Sequence, residues 1–275
     1  MQLLWNRGER MVSITINGRE IQTDKDVTML QLAQSEGIEI PTLCSHKALL
    51  PYGACRLCVV EVSKGQKIKI VNSCAYPVRE DGISVQTNTP KLKQIRKNIM
   101  EFLLARCPEV EIIKKMAVEM GVKEKRLPDK QLSEEQKGEC ILCGLCVRVC
   151  SEVIGKEAIS FVHRGAEREV AAPFYTQSID CVGCTACAFV CPTGAIKVKE
   201  SGNKRFISPW NTEITLVTCE MCGISFAPEN SGDYLKAKLN LPADWLKLCP
   251  NCRRKEAAKT FGRYDFTSSR VILKK

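Results

Sequence analysis

The sequence predicts an α+β protein assembled from small modules in which bound metal takes over much of the work of a large core. Three observations carry this expectation. Residues 11–88 carry short strand-like runs, with Val12 to Ile16 alternating apolar and polar positions, and residues 89–130 carry apolar positions at helical spacing. The chain also holds 17 cysteines in 275 residues, gathered into tight groups rather than scattered. A chain of this length allows two or three small domains, and its 44% apolar content is ordinary for a globular protein. Disulfides belong to oxidising compartments and rarely come as repeated CxxC pairs. Met1 to Arg10 is short, mixed and charged, without the apolar stretch of a secretory signal, and Met11 stands where the first strand begins. No apolar run approaches the ~18–20 residues a membrane helix needs. The expectation is a soluble, cytoplasmic chain whose reduced thiols are available for metal.

The net charge of +10 invites a nucleic-acid reading. That count treats every cysteine as neutral, whereas a metal-bound cysteine is a thiolate. If sixteen cysteines are ligands, their negative charge exceeds the positive charge of the metal they hold. The holo-protein then lies well below +10, and nucleic acid is not an expected partner.

Taken in order, Val12 to Ile16 reads as a strand, Asn17-Gly18 as a type I′ turn, and Glu20 to Thr23 as the returning strand. Asp24 or Asp26 is expected to cap a helix carrying Val27, Leu30, Leu32 and Ala33, with Gly37 as the residue past its end. A loop bearing three cysteines follows. Leu57 to Val62 and Ile68 to Val71 read as strands around a Lys64-Gly65 turn. In the spacer, Leu92, Ile95, Ile99, Phe102 and Leu103 form one apolar stripe and Ile112, Met116 and Met120 another, separated by Pro108. Residues 131–204 contain two copies of a cysteine run. Residues 205–275 carry two further CxxC pairs and a basic tail.

The strongest chemical signal is the pair Cys140, Cys143, Cys146, Cys150 and Cys181, Cys184, Cys187, Cys191, followed by Pro192. Each run is C-x₂-C-x₂-C-x₃-C, the bacterial ferredoxin spacing, in which the fourth cysteine ligates the other cluster. One [4Fe-4S] cluster is therefore assigned to Cys140, Cys143, Cys146 and Cys191, and a second to Cys181, Cys184, Cys187 and Cys150. Gly144 and Gly183 leave room for backbone beside the inorganic sulfides. Ser151 stands where proline follows in the other run, and 30 residues separate the two; neither departure breaks the ligand set.

Cys44, Cys55, Cys58 and Cys74 form a second set of four thiolates, suited to a [2Fe-2S] cluster, with a zinc site as the alternative. The strand pattern with a single helix points to the β-grasp fold of plant-type ferredoxins, although the spacing departs from the plant-type C-x₄-C. Cys219, Cys222, Cys249 and Cys252 make two CxxC knuckles, with Gly223 supplying a tight turn. Structural zinc is favoured there over a rubredoxin-like iron or a further cluster. Cys107 is left over and reads as a packed thiol. His46, near Cys44, is expected in solvent; His163 in FVHRG is expected to brace a loop; Arg253 and Arg254 are expected on a solvated face or a subunit contact.

The order of these motifs, with SFVHRG inside the two-cubane region, resembles the amino-terminal portion of the large iron–sulfur subunit of respiratory complex I. The same portion opens many [FeFe]-hydrogenases and makes up most of the small diaphorase subunit of soluble NAD-linked hydrogenases. The resemblance covers about residues 11–200. It implies a β-grasp [2Fe-2S] domain at 11–88, a helical spacer at 89–130 and a two-[4Fe-4S] ferredoxin-like domain at 131–204; the zinc-ribbon-like extension expected at 205–275 lies outside it. It further implies a flavoprotein partner that exchanges electrons with NAD(P)H and a catalytic hydrogenase or dehydrogenase partner. Many members carry an extra His-Cys₃ cluster in the spacer. Residues 89–139 hold no histidine and only Cys107, so that cluster is expected to be missing.

No nucleophile–base pair, P-loop, GxGxxG or flavin motif is present, so no catalytic residue is assigned. The expected function is electron transfer within a multi-subunit NAD(P)H-linked oxidoreductase. A soluble hydrogenase comes first, the electron-bifurcating kind included, and a formate or similar dehydrogenase second. A redox-sensing iron–sulfur and zinc binding protein is the alternative of another class, and a free ferredoxin shuttle the alternative within electron transfer.

Overall fold

The computed structural model describes residues 11–23, 26–122, 138–232, 234, 239 and 245–261. The chain divides into two compact units. One holds the chain up to Gly155 together with Val162–Val170 and Val190–Ala195; the other holds Lys156–Phe161, Ala171–Phe189 and the chain from Ile196 onward. Among the described residues no helix is long and apolar enough to cross a membrane.

In the first unit, β1 (Val12–Ile16) and β2 (Arg19–Thr23) pair antiparallel around Asn17-Gly18, whose φ values of 52° and 84° are those a type I′ turn demands. α1 (Met29–Ser35) follows. β3 (Val59–Lys64) and β4 (Lys67–Asn72) form a second hairpin, and β5 (Ile83–Gln86) lies parallel to β1 and antiparallel to β3. The sheet order is β2-β1-β5-β3-β4, so the shortest strand is the central one. One face packs on α1, where Ile14, Ile16, Met29, Leu30, Val60 and Val85 are almost wholly buried. Each such side chain contributes about 1.5–3 kcal/mol.

Three local expectations are corrected. The cap of α1 is Thr28 rather than Asp26. Its hydroxyl accepts from the Gln31 N–H at 3.3 Å while the Gln31 side chain accepts from the Thr28 N–H at 2.9 Å, a reciprocal box that a lone aspartate cannot make. Asp24 lies outside the described residues. The turn after β3 falls at Gly65-Gln66, with Gly65 at φ 59°. The third correction concerns the spacer. α2 (Pro90–Arg106) is capped by Thr89 and buries Leu92, Arg96 and Met100, while Phe102 is 61% exposed. The inward face is rotated because the Arg96 guanidinium donates to the carbonyls of Leu57 at 3.1 Å and Val59 at 2.6 Å. α3 (Glu111–Glu119) likewise buries Ile113 and Ala117 rather than Ile112 and Met116.

α4 (Leu145–Arg148) runs into a π-helical stretch, Val149–Ile154, that contains Cys150. The chain crosses between the units around the short strands β6 (Ser160–Val162) and β7 (Glu169–Ala171). In the second unit, α5 (Ala186–Phe189) precedes a four-stranded antiparallel sheet. Its strands are β8 (Lys197–Ser201), β9 (Lys204–Ser208), β10 (Thr212–Thr218) and β11 (Ser225–Pro228), in the order β11-β10-β9-β8. The β8–β9 ladder runs across residues 204–205, where the sequence suggested a boundary. A helix, Pro250–Phe261, closes the described part of the chain.

Candidate metal centres

Cys44, Cys55 and Cys58 lie on the loop before β3, and Cys74 lies on the short 3₁₀ turn after β4. All four are buried, with at most 9% of their surface exposed. Gly53 and Arg56 take φ values of 77° and 61°. A left-handed arginine is strained and persists only where the surroundings over-determine it, as in a loop curled around a guest. Peptide N–H groups point at the sulfurs: Leu43 N donates to Cys55 Sγ at 3.4 Å and Cys55 N to Cys44 Sγ at 3.3 Å. The four thiols share protons unequally. Hydrogen bonds from the Cys55 and Cys74 thiols hold Cys44 down to about 2, and a hydrogen bond from Cys74 holds Cys58 down to about 6. Donating those bonds raises Cys55 and Cys74. The thiols are thus close enough to bond one another, a donor set suited to a metal cluster.

The two cysteine runs share one backbone device. Leu142 (φ 53°) and Gly144 (φ 75°) are left-handed in the first run; Gly183 (φ 65°) and Thr185 (φ 61°) are left-handed at the matching positions of the second. Two non-glycine residues thus accept the strain, each in a different copy. Leu142 N donates to Cys140 Sγ at 3.4 Å, and Arg106 Nε fixes the Cys140 carbonyl at 2.9 Å. Burial pushes Cys143 up to about 11, and the sulfurs of Cys140, Cys191 and Cys44 push the same way. Cys191, the last cysteine of the second run, also acts on Cys140. Two consequences follow. Cys191, the fourth cysteine of the second run, is an electrostatic neighbour of Cys140 and Cys143 of the first. The Cys44 set and the Cys140 run are also electrostatic neighbours. Arg148 joins them structurally. Its guanidinium donates to the Leu50 carbonyl, lies 5.1 Å from the Tyr52 ring and pairs with Glu152 at 2.9 Å, while Glu152 accepts from the Leu50 N–H at 2.9 Å. In the second unit, burial raises Cys181 and lifts Cys187 to about 11.

The C-terminal four converge most tightly. The Sγ atoms of Cys219, Cys222, Cys249 and Cys252 all lie within 4.8 Å of one another. Cys222 Sγ and Cys249 Sγ are 3.7 Å apart, against about 3.8 Å for the edge of a tetrahedron with 2.3 Å metal–sulfur bonds. The first knuckle is closed by Gly223 (φ 73°), whose N–H donates to the Cys219 carbonyl at 2.9 Å. The second opens onto the C-terminal helix. The Cys249 N–H holds Cys219 down to about 6, and desolvation lifts Cys252 to about 12. Arg253, expected on a solvated face or a subunit contact, instead braces this knuckle. It stacks 3.7 Å from the Trp245 ring and donates to the Trp245 and Leu248 carbonyls. Cys107 is completely buried at the end of α2, and His46 accepts from the Ala48 N–H at 3.2 Å.

A β-grasp module carrying four converging thiols, joined to a module with two ferredoxin-type runs, defines an iron–sulfur electron-transfer protein. Comparison with known families agrees: residues 9–90 match the 2Fe-2S iron-sulfur cluster binding domain and residues 139–195 the 4Fe-4S dicluster domain. More particularly, the chain is a relative of a subunit of NADH-quinone oxidoreductases that is called the 75 kDa subunit in NADH-ubiquinone oxidoreductase. It is 30% identical to an NADH-quinone oxidoreductase subunit of Rhizobium meliloti over 96% of this chain and 32% of that protein. It is 34% identical to the NADPH-Fe(3+) oxidoreductase subunit alpha of Geobacter sulfurreducens over 77% of this chain and 27% of that one. The chain thus spans less than a third of the length of these relatives. A solved NAD+-reducing [NiFe]-hydrogenase matches with a TM-score of 0.55 at 28% identity, over 67% of this chain and 86% of that one.

Proposed function

We propose that this chain relays single electrons between a flavoprotein that exchanges them with NAD(P)H and a catalytic subunit, with a soluble hydrogenase as the first candidate complex. The observation that carries the relay is the adjacency of the Cys44 and Cys140 sets, felt at Cys143 and locked by Arg148. A lone cluster needs no such neighbour. In this reading Cys44, Cys55, Cys58 and Cys74 hold a [2Fe-2S] cluster. Cys140, Cys143, Cys146 and Cys191 hold one [4Fe-4S] cluster, and Cys181, Cys184, Cys187 and Cys150 the other. Cys219, Cys222, Cys249 and Cys252 hold one zinc. The 3.7 Å sulfur separation supports a single ion there, because a cubane spreads its thiolates over four separate irons. When bound, each cluster takes and gives one electron at a time. The chain's own part is to exclude water from the buried Cys44 set, to aim peptide N–H groups at sulfur, and to fix the spacing between sites. The NAD+-reducing hydrogenase among its structural neighbours supports the choice of complex.

The test is native purification from the source cells with metal analysis. Flavin-bearing partners, about ten irons and one zinc per chain are expected from these centres. A partner-free monomer, or retention on DNA in place of subunits, would sink the proposal.

A further inference from the structure

Arg96 stands on the buried face of α2 between Leu92 and Met100, one turn from each, where helical spacing asks for an apolar side chain. It is 6% exposed, and both of those neighbours are wholly buried. A charge held out of water is costly unless an opposite charge offsets it. Among the described residues the guanidinium meets carbonyls and no carboxylate. Glu61, the carboxylate that β3 carries, accepts from Thr89 Oγ1 at 3.0 Å instead. Glu39 and Glu119, which share a cavity wall with Arg96, are exposed.

The contacts that Arg96 does make bracket one residue. Nε donates to the Leu57 carbonyl at 3.1 Å and Nη2 to the Val59 carbonyl at 2.6 Å, so the guanidinium lies against the backbone on either side of Cys58. Covalent geometry then holds the cation within about 6 Å of the Cys58 Cα. Leu57 and Cys58 are wholly buried and Val59 nearly so, which leaves little water to screen the approach. Cys58 acts on Arg96 through charge in turn, favouring its protonated form against the burial that lowers its pKa. A neutral donor would satisfy two carbonyls; a permanent cation in this place asks for an anion. Arg56, next to Cys55, is the contrast, because it is exposed and water screens its charge.

We infer that Arg96 is the buried counter-cation of the [2Fe-2S] cluster and raises its reduction potential above the value that the four thiolates alone would give. The inference rests on the ligand assignment proposed above. The sign follows from charge. Reduction adds an electron to a group that already carries four thiolates, and a fixed cation beside it in a dry region stabilises the more negative state. Arg96 thus acts on the cluster through space, from a helix that carries none of its ligands, and makes this station the readier acceptor of an electron.

The experiment is an EPR-monitored redox titration of the iron-loaded full chain and of Arg96→Gln, whose amide still donates to a carbonyl but carries no charge. The expected result is unchanged iron content and a [2Fe-2S] signal displaced to lower potential. Its reduction constant should fall about tenfold, which is roughly 59 mV for one electron, while the [4Fe-4S] signals stay in place. Arg96→Lys, which restores the charge, should recover most of that fall. A glutamine variant at the wild-type potential, or a lysine variant displaced as far as the glutamine one, would overturn the inference. A second variant keeps the test clear of folding. Citrulline at position 96, placed by nonsense suppression, is a neutral isostere that retains both donors used here, Nε–H and Nη2–H. The same tenfold fall is expected, and an unshifted [2Fe-2S] signal would show that the hydrogen bonds matter and the charge does not. A wild-type chain with no [2Fe-2S] signal would instead overturn the ligand assignment.

Discussion

Burial alone lifts a thiol's pKa, because the thiolate loses its water, and Cys107 at the end of α2 is pushed up to about 11 in this way. The free-thiol value is about 8.5. A folded value above the unfolded one contributes stability that is fully present below about pH 8.5 and is lost as pH rises through 11. The thiol is therefore neutral and unreactive at physiological pH. Alkylation of the cluster-loaded protein should be slow at pH 7–8 and should accelerate steeply toward pH 11. Cys107→Ala should keep all the iron, and iron loss in that variant would expose an unrecognised ligand. Arg96 is the opposite case, a charged group retained inside. Its guanidinium satisfies the Leu57 and Val59 carbonyls on either side of Cys58, and burial lowers its pKa. Arg96→Met leaves both carbonyls unpaired and should cost about 2–4 kcal/mol. Denaturant titration followed by the loss of cluster absorbance would register this as an earlier midpoint, and an unchanged midpoint would refute the role.

Elements join through a few such side chains. The Arg148–Glu152 pair sits one helical turn apart where α4 passes into the π-helical stretch, and it captures both backbone groups of Leu50. Arg148→Met leaves the Leu50 carbonyl without this donor and the exposed Glu152 without its partner, at a cost of about 1–3 kcal/mol, nearly all of it from the carbonyl. The expected outcome is a lower temperature of cluster bleaching and slower electron passage from the [2Fe-2S] site; normal rates in a stable variant would mean that spacing does not depend on the clamp. Much at this scale is legible from local pattern. β1, β2 and their Asn-Gly turn, the two spacer helices and the convergence of the C-terminal four cysteines follow from periodicity and spacing. β5 does not, because its four residues are held by β1 and β3 from both sides, and such pairing is invisible locally. The rotated face of α2 depends on two carbonyls more than thirty residues away. The left-handed Leu142 and Thr185 carry no glycine signal, since the strain is imposed by the site they enclose. The Thr28-x-x-Gln31 box, by contrast, is legible in the sequence, because the capping-box pattern is local.

At the scale of the whole molecule, the separation of labour follows from electron counting. Hydride carries two electrons and each iron–sulfur cluster accepts one, so under the function proposed above a two-electron carrier such as flavin stands between the dinucleotide and this chain. No dinucleotide fingerprint of the GxGxxG kind occurs in the sequence. The proposed clusters would supply only one-electron stations, with potentials set by hydrogen bonds to sulfur, burial and charge. The isolated, iron-loaded chain should therefore be reduced by dithionite but not by NADH or NADPH. Adding the flavoprotein partner should bleach the clusters with the pyridine nucleotide. The order of bleaching should follow the spacing seen here, with the [2Fe-2S] site and the Cys140 cluster equilibrating rapidly because Arg148 locks their modules together. Reduction by NADH of the purified chain alone, free of bound flavin, would contradict the whole assignment, since it would require a hydride acceptor that none of these sites supplies.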